Sequence, residues 1–333
     1  MHSIRQWLLG MAACTATVAL AVPSANATLT LTAAGIADGF SITTFATVAP
    51  GNAGCCSGPF GMAVSNNGNV IVSLGAGPLY VFPNSDGQTP GTALFTQFSN
   101  SGTAAYATAG GQAYGWQNNR FVQFNNDGTV NHVLTGVTPG PFLGAWGNSV
   151  NGHVIASSGS GLIDINPLAN GGLGTFATIN AGVFPDGISV SPDGLTVYAE
   201  QGCINGYSIA TGAATSTACG FNSPDGTGVI IGGLLNGDLI VNNNNGDVDL
   251  YDFATSTVTL LATGSSPSGF DRGDYTTPDQ KGCLFLAEGD RVDRLCLIGA
   301  SIGGGSDVPE PASLTLLGVA LLGFRTLGRR TRG

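Results

Sequence analysis

Phe184-Pro185-Asp186-Gly187-Ile188-Ser189-Val190-Ser191-Pro192-Asp193-Gly194-Leu195-Thr196-Val197-Tyr198 contains two short apolar runs, each led in by Pro-Asp-Gly. Proline presets the bend and glycine accepts positive φ, so the stretch predicts a hairpin of strands at 187–190 and 195–200. The lead-in recurs as Gly58-Pro59-Phe60-Gly61, Gly140-Pro141-Phe142-Leu143-Gly144, Ser223-Pro224-Asp225-Gly226 and Ser266-Pro267-Ser268-Gly269. Its prolines lie 82, 44, 39 and 43 residues apart. If the longest interval holds two units, the unmarked one starting near Gly110-Gly111, the mean period is about 42 residues, the length of a four-stranded propeller blade.

Each unit reads as three or four short strands separated by turns rich in Gly, Asn or Asp. In the fourth unit they fall at 187–190, 195–200, 204–209 and 214–218; in the fifth, at 229–231, 238–242, 247–253 and 257–262. The sixth supplies only 274–278, 283–288 and 291–297. Residues 40–48 alternate apolar and hydroxyl side chains and belong to no complete unit, so they are expected to complete the last blade and close the ring. The fold class expected is all-β, a six-bladed β-propeller of four-stranded blades; nearly twenty evenly spaced strands are too many for a sandwich.

Cysteine placement follows the same hairpins. Cys283 and Cys296 are symmetric about Gly289-Asp290, and Cys203 and Cys219 about Thr211-Gly212, which predicts two disulfides within blades. Cys55-Cys56 leaves three options open: a vicinal disulfide, two thiols, or a bridge to another chain.

The termini carry a different kind of information. Arg5 precedes an apolar stretch at 7–22 and Ala25-Asn26-Ala27 offers small residues for cleavage, so 1–27 reads as a signal peptide. Residues 28–300 form the propeller domain, and 301–307 read as a Gly/Ser linker. At the other end Val308-Pro309-Glu310-Pro311 precedes an apolar run to Phe324 and then Arg325, Arg329, Arg330 and Arg332. This combination over 308–333 resembles the PEP-CTERM sorting signal. The resemblance implies export, transient retention at the membrane through a C-terminal hydrophobic helix, and processing by an exosortase-type enzyme. The basic end independently fits a cytoplasmic terminus, and a run of thirteen apolar residues falls short of the roughly 17 to 25 of a full crossing.

Net charge is −10, and all acids but Glu310 lie between the two signals, against Arg120, Arg272, Lys281, Arg291 and Arg294. Such a surface repels phosphate backbones, which argues against nucleic-acid binding. No Gly-x-Ser-x-Gly, His-Glu-x-x-His, Walker or Rossmann pattern occurs. His132 and His153 sit beside Asn-rich turns and read as solvated turn residues. The 242–249 stretch reads as a hairpin turn rather than a calcium loop, for want of a closing Glu. Trp116, Trp146, Tyr106 and Tyr114 read either as core or as a sugar-stacking platform.

One constellation points to chemistry. Asp186 and Asp225 hold the same place in neighbouring units, just before strands that line a propeller axis, so both carboxylates are expected at one mouth of the channel. Asp271 and Asp274, at the corresponding edge of the last blade, are candidates to join them, and clustered carboxylates suit a hard cation such as Ca²⁺. The 184–198 segment also resembles the repeat of NHL-type, YncE-like and gluconolactonase-like six-bladed propellers. In the gluconolactonase-like family an Asn or Asp at the place of Asp186, and an Asp at the place of Asp225, ligate a divalent metal. The resemblance therefore implies metal ligation by Asp186 and Asp225 and a catalytic base at Asp225, and Asp271 is the candidate third ligand from its place at the edge of the last blade. The family's first-blade metal-binding Glu has no counterpart, because Gly58-Pro59-Phe60 stands there. Turn formation, metal binding and catalysis remain the three open roles for these lead-ins.

The leading functional expectation is a non-enzymatic cell-surface or matrix protein whose partners are extracellular polysaccharide or surface proteins. The alternatives are a calcium-dependent, gluconolactonase-like hydrolase acting at the channel mouth, or a metal or small-ligand binding module.

Overall fold

In the computed structural model, residues 29–48, 58–75, 77–98, 105–264 and 275–303 are described. They form six sheets, each built on four antiparallel strands and arranged as the blades of a propeller, with only a few residues in helices. Blade one comprises Pro59–Val64, Val70–Leu74, Pro78–Phe82 and Phe95–Phe98; blade two, Tyr106–Ala109, Gln112–Gln117, Arg120–Phe124 and Val130–Val133. Blade three comprises Phe142–Gly147, Val154–Ser158, Gly161–Asn166 and Thr175–Asn180; blade four, Ile188–Val190, Thr196–Glu200, Ile204–Ser208 and Ala214–Ala218. Blade five comprises Pro224–Ile231, Leu239–Asn243, Asp247–Asp252 and Thr257–Thr263. Blade six takes Thr276–Pro278, Leu284–Ala287 and Arg291–Leu297 from one end of the chain and Phe40–Thr47 from the other.

The closing strand pairs from Phe40↔Leu297 to Thr47↔Arg291. Its Phe45 is fully buried and packs on Phe285 of blade six, with ring centroids 4.6 Å apart, and edge-on to Phe82 of blade one at 6.2 Å. Both predicted disulfides form, Cys203–Cys219 and Cys283–Cys296. Cys55 and Cys56 lie outside the described residues, as do residues 1–27, read above as a signal peptide, and the 308–333 tail.

Three details depart from the sequence reading. Blade two begins at Tyr106, and Gly110-Gly111 forms the turn after its first strand, both glycines at positive φ. The first strand of blade five starts at Pro224 rather than 229, so Asp225 is part of the sheet. Finally, Ser301–Ile302, placed by the sequence in the linker, pairs with Ile230 and Ile231 of blade five. Gly303 follows by donating its N–H to the Val229 carbonyl at 2.7 Å. A Cβ built on Gly303 would meet Pro278 of blade six and Trp146 of blade three at 2.5 and 2.9 Å. Blades three and six face each other across a six-membered ring, so this short strand sits in the axial channel. Towards the other terminus, Thr30–Leu31 pairs with the outer strand of blade five and the short Ala33–Ala37 helix leads into blade six.

Hydroxyl and amide side chains on the inner strands stitch blades together. Thr108 Oγ1 accepts from the Val64 N–H at 2.6 Å, across blades one and two. Thr227 Oγ1 donates to Ser189 Oγ at 2.9 Å, across blades four and five, and Asn148 Nδ2 donates to the Gly194 carbonyl at 3.1 Å, across blades three and four. Thr277 Oγ1 donates to the Met62 carbonyl at 3.2 Å, joining blade six to blade one.

Candidate functional site

Antiparallel pairing puts the start of every first strand and the end of every second strand at one rim of the channel. Ser73, Gln117, Ser157, Asn242 and Glu288 all lie there and are buried, and Glu200 joins them half-buried. The rim is thus a polar collar, with Asn242 Nδ2 donating to the Ala287 carbonyl at 3.2 Å across blades five and six.

The two Pro-Asp-Gly lead-ins meet at this rim. Asp225 occupies an irregularity between the pairs Pro224↔Asn243 and Gly226↔Asn242, and only 6% of it is exposed. Asp186 is exposed and immediately precedes Gly187, where a Cβ would lie 1.6 Å from the Asp225 carbonyl oxygen. The same contact recurs one blade earlier, where a Cβ on Gly144 would lie 2.0 Å from the Asp186 carbonyl. Glycine therefore stands in the lead-in because the next blade's backbone leaves no room for a side chain. Both aspartates take part in interactions within the fold.

Two further acids at this rim, Glu200 and Glu288, were not foreseen from the sequence. Glu200 accepts from the Gly202 N–H, and its own N–H donates to the Gly187 carbonyl at 3.0 Å. Burial pushes its carboxyl above the usual range, and the negative field of Asp186 adds to the rise. The signal was the Tyr198-Ala199-Glu200 strand end, whose meaning depends on which rim it reaches. Asp271 and Asp274 lie outside the described residues. Among the described residues no three His, Cys, Asp or Glu side chains converge on a point where they could hold a metal. With two carboxylates from Asp186 and Asp225, a hard cation would draw its remaining ligands from carbonyls, amides and water.

The tail supplies the firmest comparison. Residues 307–332 match the model of the PEP-CTERM protein-sorting motif. The chain carries a PEP-CTERM sorting signal. The motif, which includes Val308, Pro309, Glu310 and Pro311, implies export, a membrane-held sorting intermediate and processing by an exosortase-type enzyme. No helix among the described residues is long and apolar enough to cross a membrane. For the propeller, a gluconolactonase from Xanthomonas campestris is similar in structure, with TM-score 0.57 and 16% identity over 82% of this chain and 96% of that one. A streptogramin B lyase is also similar, with TM-score 0.49 and 14% identity over 78% of this chain and 98% of that one. At these identities the likeness is one of fold. No curated protein sequence matches the PEP-CTERM chain.

Other candidate residues have structural roles. Trp116, Trp146, Tyr106 and Tyr114 are all buried, so they form no exposed stacking platform. Burial pushes the Tyr106 phenol up to about 12. His132 Nε2 lies 3.0 Å from the Gly172 carbonyl, and His153 Nδ1 lies 2.9 Å from Asp164 Oδ1. The Asn-rich stretch is a hairpin turn, as expected, but its first two residues are interior: Asn243 Nδ2 donates to Asp249 Oδ2 at 2.9 Å.

Titration of these acids sets a pH dependence. Burial raises the carboxyls of Asp249 and Glu200, the latter helped by Asp186. A raised folded value contributes stability that is present below the ordinary value of about 4 and is lost as pH rises through the folded one. Asp193 and Asp127 behave oppositely, because the Ser191 and Thr129 hydroxyls hold them below the ordinary value, and their contribution is lost as pH falls. The thermal midpoint is therefore expected to rise as pH is lowered from about 8 to about 5, then to fall below about pH 4. A midpoint that falls steadily from pH 8 to pH 5 would contradict this assignment.

Proposed function

We propose that this is an exported cell-surface or matrix protein whose propeller is a rigid scaffold that binds extracellular partners without turning them over. The PEP-CTERM motif carries the reading, since it assigns the protein to an export and sorting route. The ring suits exposure outside the cell: two disulfides staple blades four and six, and the closing strand removes an open sheet edge. Polysaccharide and surface proteins are the partner classes such a scaffold would meet.

The contact between the Asp186 and Asp225 lead-ins supports a second reading, a calcium-dependent lactonase-like hydrolase. There Asp186, Asp225 and Asp271 would hold the ion, which polarises a lactone carbonyl when bound, and Asp225 would serve as base. A metal or small-ligand binding module is the same site without turnover.

Calcium titration by calorimetry, paired with a gluconolactone hydrolysis assay, separates these readings. The scaffold reading expects hydrolysis at the uncatalysed rate with and without calcium. Calcium-dependent turnover that disappears in Asp186→Asn/Asp225→Asn would replace it with the hydrolase. Stoichiometric binding without turnover would favour the binding module.

A further inference from the structure

Away from the channel, a cavity of about 480 Å³ opens between blade two and the segment that leads to blade three. Trp116, Phe121 and Val137 give it an apolar floor, and Arg120, Thr135 and Thr138 border it. Trp116 and Phe121 both pack on Phe142 of the next blade, with centroids 4.7 and 5.0 Å apart, so the floor is held by two blades. Arg120 is presented by the tight turn Asn118-Asn119, both residues at positive φ, 51° and 60°. Asparagine tolerates that conformation better than most residues, so the turn fixes the arginine at the cavity edge.

The charge pattern makes this arginine distinctive. Of the described basic residues, Lys281, Arg291 and Arg294 belong to blade six, where both arginines pair with aspartates. Arg120 is exposed and pairs with no acid among the described residues. A strongly acidic domain thus places one uncommitted guanidinium over an aromatic pocket of a size typical for small ligands.

We propose that this cavity binds an organic carboxylate with an apolar face, its carboxylate on Arg120 and its body against Val133 and the accessible edge of Trp116. Guanidinium pairs carboxylate in a planar two-point geometry, and the threonine hydroxyls at the border can bond flanking polar groups. A uronic acid unit of a polysaccharide and a free aromatic acid share this chemistry. Neither Asp186 nor Asp225 lines this cavity.

Calorimetry on the full-length protein in EDTA, with digalacturonate and benzoate as probes and galactobiose and benzamide as neutral controls, tests the site. One-to-one binding of at least one anion is expected, weakened roughly tenfold or more by Arg120→Gln and by removing the probe's charge. Thr138→Trp, at an exposed border position, should block binding while retaining the arginine. Binding of digalacturonate assigns the uronate source, and binding of benzoate alone assigns the aromatic acid. Absence of saturable binding by either anion up to about 10 mM, or equal affinity in Arg120→Gln, overturns the proposal.

Discussion

Arg291→Met is expected to destabilise the propeller by about 3–5 kcal/mol, because it leaves buried carboxylates without their counterion. The guanidinium is 2% exposed; Nε lies 2.9 Å from Asp293 Oδ2 and Nη1 lies 3.1 Å from Asp290 Oδ1, with Glu288 also in its field. Asp293 is held from its other side by Thr44, whose hydroxyl donates to Oδ1 at 2.8 Å. Thr44 belongs to the closing strand, so the charge cluster sits where the two ends of the chain meet. Urea unfolding at about pH 7.5 should show the loss, and at about pH 5 the deficit should shrink, since protonation relieves the unpaired acids. A loss under about 1 kcal/mol at the higher pH would mean that the cluster is solvated and that closure rests on apolar packing alone.

Ile302→Asp is expected to cost about 4 kcal/mol or more, against about 0.5–1.5 kcal/mol for Ile302→Val. The side chain is fully buried in the core cluster shared by blades three to six, and its N–H donates to the Gly282 carbonyl at 3.0 Å. Aspartate would bring a carboxylate into that apolar setting, whereas valine removes one methylene and keeps the pairing with Ile230. Unfolding curves of the two variants measure the difference. Near-equal effects would show that the strand leaves the channel readily.

The periodic part of this architecture was legible because each blade repeats the same local chemistry. Pro-Asp-Gly turns mark strand starts, and cysteines placed symmetrically about turns report which residues face each other. Phe40–Thr47 could be assigned to closure because its alternation had no other partner. Blade two was harder, since Ala105-Tyr106 has none of the proline chemistry that marks the other lead-ins. Ser301–Ile302 could not be read at all: two residues carry no period, and their pairing with blade five spans some seventy residues of chain. Arg291-Val292-Asp293-Arg294 looks locally like a solvated, alternating strand, and only closure by a distant segment buries it. Asp186 and Asp225 were placed at neighbouring lead-ins by repetition, but Glu200 was not, because its role depends on the tertiary rim.

The seat of the C-terminal strand also decides how the molecule bears tension. While the sorting signal holds the chain at the membrane, any pull on the tail passes through Gly303, between inner strands of blades three, five and six. The load enters at the hub and is shared among several blades, instead of peeling one outer strand from the edge. Thr30–Leu31 fastens the opposite end of the chain to the same blade five, so a tug on the tail acts on a ring whose ends are both already tied.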